Sequence, residues 1–240
     1  MSYNEHLIFL EKLPKTKTNE NRNNIIYKRT ATYFGDIFKI ILIISKLDST
    51  NIFKTIGSLT TGEIIGTINI LKIKYFKSIK CAFYYDLINK KFSGVFRTWY
   101  SNGINHIICT YNDKCELEGT FYEFYDNCDK KKQITYKNGI LHGEYIIYHR
   151  SYFSPFKIIL NSKSIFCDYE NGVLNGKFNS WHENGKLWIS CFYVKGSLHG
   201  KFLKWFPNGN QWIISTYDFG TRTTFIEKTK YGSILFCLDY

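Results

Sequence analysis

Short stretches that interleave aromatic and β-branched residues with polar ones recur along most of this chain, separated by clusters rich in Gly and Asn. KFNSWH (177–182) and KLWISCFY (186–193) show the alternation most clearly, and it predicts half-buried strands joined by turns. Upstream, the apolar run Ile37–Ile44 is broken by Lys39 and is far too short to span a bilayer, so it reads as a buried strand. Apolar segments on either side of Asp48-Ser49-Thr50-Asn51 read as a further hairpin. Residues 1–35, dominated by KTKTNENRNN, read as a polar N-terminal arm whose apolar piece, Leu7 to Leu10, can dock onto a sheet.

The alternation is periodic. From Gly176, Phe178 lies at plus two, Trp181 at plus five, Asn184 and Gly185 at plus eight and nine, Cys191 at plus fifteen and Tyr193 at plus seventeen. Starting at Gly200, the same offsets give Phe202, Trp205, Asn208, Gly209 and Tyr217. Those from Gly94 give Phe96, Trp99, Asn102, Gly103, Cys109 and Tyr111, and those from Gly119 give Phe121, Phe124, Asn127, Cys128, Ile134 and Tyr136. The copy at Gly143 keeps Tyr145 and Tyr148 but reaches its closing Tyr169 nine residues late, and a weaker copy starts at Gly66. Self-similarity at a fixed period marks a repeat architecture. Each unit reads as two strands around the Asn-Gly turn, with Gly-x-Leu-x-Gly linking one hairpin to the next. Because plus two and plus five would point to opposite faces of a flat strand, a bulge or a turn-in is expected near the leading Gly.

The pattern G-x-[FY]-x-x-[WYF]-[YHF]-x-N-G, followed by Tyr and by G-x-L-x-G, resembles the MORN-repeat family. It is most similar to the variant repeats of bacterial proteins labelled YwqK-type antitoxins and of large DNA viruses. The resemblance covers about Gly62 to Gly220, with Cys128 in place of a turn glycine and no Asn-Gly turn in the copy at Gly143. It implies an all-β fold, an elongated and twisted antiparallel β-meander forming a hairpin-repeat solenoid, and a role in protein or membrane attachment without catalysis. The expected organisation is then an arm (1–35), a cap or diverged repeat (36–61), the array (62–220) and a degenerate last repeat or C-terminal cap (221–240). The positions carrying the repeat are Gly66, Gly94, Gly119, Gly143, Gly176 and Gly200, with Trp99, Phe124, Tyr148, Trp181 and Trp205 five residues after the last five of these.

Composition sharpens this picture. Aromatics make up 18% of 240 residues and there are only three prolines, which argues for a folded β protein. No apolar leader precedes residue 30, so a cytoplasmic or virion-associated location is expected. Four of the seven cysteines, Cys81, Cys109, Cys167 and Cys191, share the slot two residues before the closing aromatic, where Ile134 and Ser215 stand in other copies. A slot shared by Cys, Ile and Ser is a small core position, so these thiols are expected to be reduced and structural.

The net charge of +12 is uneven: residues 1–93 hold 15 Lys/Arg against 7 Asp/Glu, and the remainder 17 against 13. Within the N-terminal part, Lys72, Lys74, Lys77 and Lys80 lie close together, either as a solvated strand edge or as a patch for acidic headgroups, nucleic acid or an acidic protein. The insertion around RSYFSPFKIILNSK carries Tyr152, Phe153 and Phe156, either as a protruding aromatic tip for a partner or as a flap folded on the sheet. His142 and His199, and His149 and His182, fall on shared repeat positions and need no catalytic role. No metal-ligand, phosphate-loop or dinucleotide motif occurs, so neither metal, cofactor nor small-molecule substrate is expected. The expected partner is another protein, within an assembly such as a virion or capsid. Acidic membrane is the alternative, nucleic acid a weaker one, and a toxin-neutralising role follows from the family labels alone.

Overall fold

The computed structural model describes residues 2–3, 6–26, 31–35, 37–45, 52–53, 55–56, 59–61, 64–66, 73–76, 92–154, 157–159 and 161–239. It is all-β among these residues and divides into two compact units, Met1–Ile108 with Asp126–Cys128, and Cys109–Tyr125 with Asp129–Tyr240.

The first unit contains β1 (Ser2–Tyr3), β2 (His6–Lys12), β3 (Thr32–Gly35), β4 (Ile37–Ser45), β5 (Ile52–Phe53), β6 (Thr55–Ile56), β7 (Leu59–Thr60), β8 (Ile64–Gly66), β9 (Ile73–Phe76) and β10 (Gly94–Trp99). β4 pairs with β2, β5 and β8, while β3 pairs with β9. Two clusters form the core: Ala31, Tyr33, Phe38 and Tyr75 in one, Ile8, Ile40 and Ile43 in the other. Tyr33 stacks on Tyr75 at 5.6 Å, and Phe38 tilts against the same ring at 5.0 Å. Within 1–35, the apolar ends supply β2 and β3 and bury Leu7, Ile8, Ala31 and Tyr33. Around the weak copy at Gly66, β8 pairs with β4 and β9 with β3. That copy lacks an Asn-Gly turn, so nothing local dictates a hairpin there.

β11 (Asn105–Tyr111) leads into the second unit, which continues through β12 (Gly119–Phe124), β13 (Lys130–Lys137), β14 (Ile140–Tyr148), β15 (Tyr152–Ser154), β16 (Lys157–Ile159), β17 (Lys163–Glu170), β18 (Val173–Trp181) and β19 (Leu187–Val194). It ends with β20 (Ser197–Leu198), β21 (Gly200–Trp205), β22 (Gln211–Asp218), β23 (Thr221–Lys228) and β24 (Ile234–Asp239). From β12 to β24 these form one open antiparallel meander, with the small β15–β16 hairpin standing outside it. Its register repeats: Gly119 faces Tyr136, Gly143 faces Tyr169, Gly176 faces Tyr193 and Gly200 faces Tyr217. The plus-two aromatic faces the small slot in each copy, Phe121 on Ile134, Tyr145 on Cys167, Phe178 on Cys191 and Phe202 on Ser215. Those slot residues are all buried, and each plus-two ring meets its closing Tyr at 5.6–6.3 Å between centroids. A small side chain leaves room for two rings to meet, which is why Cys, Ile and Ser are interchangeable there.

The turns differ from the sequence expectation. The tight two-residue turns are not at the plus-eight Asn-Gly but at Asn138-Gly139, Asn171-Gly172, Lys195-Gly196 and Phe219-Gly220, where both residues have positive φ, as type I′ hairpins require. The plus-eight Asn sits inside a five-residue loop. In 182–186, the His182 N–H donates to the Lys186 carbonyl at 2.8 Å and the Gly185 N–H to the His182 carbonyl at 2.9 Å; 100–104, 206–210 and 229–233 are built alike. The fourth loop residue takes positive φ, which explains the glycine there; Cys115 (φ 65°) and Cys128 (φ 74°) adopt the same conformation without one. Register shifts occur just before each plus-five residue, as between Ser180 and Trp181, and opposite the leading glycine, as between Cys167 and Tyr169. The parity mismatch in the sequence is absorbed by these bulges.

Gly176 and Gly185 separate two demands on glycine. At Gly185 (φ 80°) a Cβ would meet open space, whereas at Gly176 (φ 126°) it would lie 2.8 Å from the Asp168 Cβ. Gly185→Ala is expected to cost about 1 kcal/mol from the left-handed backbone alone. Gly176→Ala, adding the clash, should cost about 3 kcal/mol. Urea unfolding midpoints of the two variants check the difference; equal losses would discard the close-approach account.

Candidate binding surface

Among the described residues the second unit consists of one large sheet and the small β15–β16 hairpin, so its cohesion depends on contacts between successive copies. Four sets of hydrogen bonds supply them. The type I′ turn glycine donates back to the Leu of the preceding Gly-x-Leu-x-Gly: Gly139 to Leu117, Gly172 to Leu141, Gly196 to Leu174 and Gly220 to Leu198, at 2.7–2.8 Å. The residue before the leading glycine accepts from the first turn N–H of the next copy, Glu118 from Asn138, His142 from Asn171 and Asn175 from Lys195. On the other edge, Asn184 Nδ2 donates to the Pro207 carbonyl and Asn208 Nδ2 to that of Lys230, while their Oδ1 atoms cap Lys186 and Asn210 N–H groups. The plus-six side chain reaches the plus-five carbonyl of the following copy, Tyr125 to Tyr148, His149 to Trp181 and His182 to Trp205. Each carbonyl can only accept, so Nε2 of both histidines carries the proton.

Beside these rungs lies a row of rings and cations that sequence reasoning did not single out. Lys204 Nζ sits 4.0 Å from the Trp212 ring centroid and 5.7 Å from that of Trp188; Phe206 stacks on Trp212 at 4.9 Å, and His182 leans on Trp188 at 5.5 Å. Trp212 Nε1 donates to Glu227. The signal was present, since Trp188 and Trp212 both stand twelve residues after a leading glycine. An earlier copy holds Glu123 between Lys131 at 2.6 Å and Lys132 at 2.9 Å. Burial by itself would raise the Glu123 carboxyl, but the two ammonium hydrogen bonds outweigh it and hold the group below its ordinary value.

A cavity of about 530 Å³ opens on the sheet between β18, β19 and β21, lined by Lys177, Asn179, Ser190, Phe192, His199 and Lys201 among others. Phe192 in this lining is 43% exposed and lies among the ammonium groups of Lys177 and Lys201 and the neutral polar side chains of Asn179 and Ser190. Such a site suits acidic and aromatic side chains of a macromolecule. Among the described residues no group of three His, Cys, Asp or Glu is placed to hold a metal ion, and no helix is long and apolar enough to cross a membrane.

The residues expected to bind are only partly placed. Tyr152 is 54% exposed at the start of the β15–β16 hairpin, and Phe153 follows it in the strand. Phe156 lies outside the described residues, as do Lys72, Lys77 and Lys80; Lys74 belongs to β9. The hairpin is anchored at its base, where Ser151 N–H donates to Asp129 and Asn161 Nδ2 to the Lys130 and His149 carbonyls. It replaces a five-residue loop, since the His149 N–H donates to the Ser162 carbonyl as His182 does to Lys186.

Residues 174–195 match the family described as MORN repeat variant. The matched span runs from Leu174, which accepts the Gly196 rung, through one five-residue loop to Lys195 of the next tight turn. It spans most of one period of the meander, and the chain therefore carries a MORN-type repeat. No curated protein matches the chain.

Burial pushes the thiols of Cys109, Cys167 and Cys191 up to about 11, so they stay protonated at neutral pH. Alkylation of the native protein should modify the exposed Cys128 and Cys237 and spare those three until denaturant is added; mass mapping of the labelled peptides reads the outcome. Glu123, with a depressed folded value, contributes stability that is complete above the ordinary carboxylate range and fades as the pH falls through the folded value. The stability gap between wild type and Glu123→Gln should therefore narrow from about pH 5 to about pH 3, as followed by urea titration at each pH.

Proposed function

We propose that this protein is a non-enzymatic repeat scaffold that attaches another protein through the uncovered sheet of its second unit. MORN-type repeats are binding modules for proteins or membranes, and one such repeat is present at 174–195. The observation that carries the reading is the cavity between β18, β19 and β21. There an exposed Phe192 lies among Lys177, Asn179, Ser190 and Lys201, on a sheet that its own unit leaves bare. Supporting it, the four histidines that could suggest catalysis are engaged by repeat contacts, His199 resting on Phe219 at 4.6 Å with its Nδ1 3.4 Å from Asp218. The exposed Tyr152 hairpin supplies a second element for the same partner.

The finer reading, a component of a virion or capsid-associated assembly, draws support from the Lys/Asn/Ile-rich composition and the variant repeats. The alternative is peripheral binding to acidic membrane through the cluster at Lys72, Lys74, Lys77 and Lys80.

Affinity purification from the native source tests the proposal, comparing wild type with Lys177→Glu/Lys201→Glu and with a deletion of 151–163. A specific protein that co-purifies with wild type should fall at least about tenfold with the double charge reversal, as expected when charge pairs at an interface are reversed. Undiminished recovery in both variants would remove this surface from consideration. Salt-sensitive sedimentation with anionic vesicles and no protein partner would transfer the function to the alternative.

A further inference from the structure

Within the meander, the plus-sixteen residue of one copy lies across from the bulge at the next leading glycine. At Gly143 that residue is Thr135, whose Cβ would lie 3.5 Å from an added Cβ; at Gly176 it is Asp168, at 2.8 Å. The Asp168 carboxylate also binds there, since its Oδ2 accepts the backbone N–H of Lys177 at 3.2 Å. The fold thus holds one carboxylate of its own over a leading glycine, bonded to the N–H that follows.

The next copy repeats this seat without the carboxylate. Its plus-sixteen residue is Phe192, and an added Cβ at Gly200 would meet nothing within 4 Å. The His199 N–H donates to the Phe192 carbonyl at 2.9 Å, which holds Phe192 across from the bulge, but a phenyl ring offers no oxygen to the Lys201 N–H. Gly200 and Lys201 line the cavity between β18, β19 and β21. Register places Lys177 directly opposite Phe192, and Asn179 opposite Ser190. Among the described residues, the side chains of Lys177, Asn179, Ser190 and Lys201 have no hydrogen-bonding or ionic partner inside the chain. Two ammonium groups, an amide and a hydroxyl therefore converge on one cavity with donors that the fold leaves unused. On its rim, Asp218 is turned to His199, 3.4 Å from Nδ1. Gly119 is open as well, but Thr110 and Thr120 stand there in the places of Phe192 and Lys201.

We propose that the cavity at Gly200 receives an Asp or Glu side chain of the partner protein. Its carboxylate sits over the glycine on the Lys201 N–H, between the Lys177 and Lys201 ammonium groups, and an apolar neighbour in the same segment lies on Phe192. This rests on the reading of that surface as the attachment site and names what it grips. A carboxylate is favoured over other anions because Asp168 already occupies the equivalent seat one copy earlier. Amide NMR of the full chain tests it, with three blocked peptides as probes: acetyl-Phe-Asp-Phe-amide and its Asn and phosphoserine counterparts. The Asp peptide should move the Lys201 N–H signal downfield, and the Asn peptide should bind at least about tenfold more weakly, as loss of a charged hydrogen bond implies. Phe192→Asp, which copies Asp168, should supply the carboxylate from within. Its Lys201 signal should lie downfield without peptide, and its affinity for the Asp peptide should fall at least about tenfold, with strand content unchanged by circular dichroism. Lys177→Gln/Lys201→Gln should weaken the Asp peptide and leave the Asn peptide unaffected. Equal affinity for the Asp and Asn peptides, tighter binding of the phosphoserine peptide, or undiminished binding by Phe192→Asp would overturn the proposal. If the co-purifying protein is still lost on Lys177→Glu/Lys201→Glu, those results remove the carboxylate seat alone and the attachment surface stands.

Discussion

Lateral bonding between one copy and the next holds the second unit together. A sheet without a second layer cannot bury its apolar residues deeply, and most of them here are only half-buried. What replaces a thick core is a pair of hydrogen-bonded margins. On one margin each tight turn hangs from the Leu carbonyl of its predecessor; on the other, Asn and plus-six side chains reach the next loop. Each bond is worth about 1 kcal/mol, and because neighbours share them the copies stand or fall together. The ring pairs around the small slot add their contacts between those margins.

Much of this was legible from the order of residues alone. The offsets from Gly119, Gly143, Gly176 and Gly200 became the observed register, and the parity conflict between plus two and plus five pointed to real bulges. The role of the plus-eight Asn was only half legible. As a turn former it is visible in sequence, but the bond from Asn184 to Pro207 joins residues 23 apart that only stacking brings together. Two of the tight turns, Asn138-Gly139 and Asn171-Gly172, carry the strong local hairpin signal, whereas Lys195-Gly196 and Phe219-Gly220 achieve the same geometry without it, and the Asn-Gly pairs at plus eight lie in wider loops.

The first unit shows where periodicity stops helping. β4 takes partners from β2, β5 and β8, and β3 pairs with β9 some forty positions away, so sequence neighbours do not predict strand neighbours. The polar stretch between β2 and β3 concealed that both ends enter cores, since Ala31 and Tyr33 lie at the end of a run otherwise too hydrophilic to bury. The ring-and-lysine row around Trp188, Lys204 and Trp212 was periodic but unremarked. Its two tryptophans read individually as strand residues, and their shared cation lies on a different strand from either.

The β15–β16 hairpin shows how this architecture tolerates growth. Fourteen residues, 149–162, stand where another copy uses five, yet Gly143 still faces Tyr169 and Tyr145 still faces Cys167. The bond from His149 to Ser162 closes the base of the added chain as His182 to Lys186 closes the shorter loop, and the strands on either side keep their register. Loops on that margin are accordingly free to diversify in size and chemistry. The opposite margin, tied turn to carbonyl, admits no comparable insertion, and variation among proteins built on this plan should accumulate on one flank of the sheet.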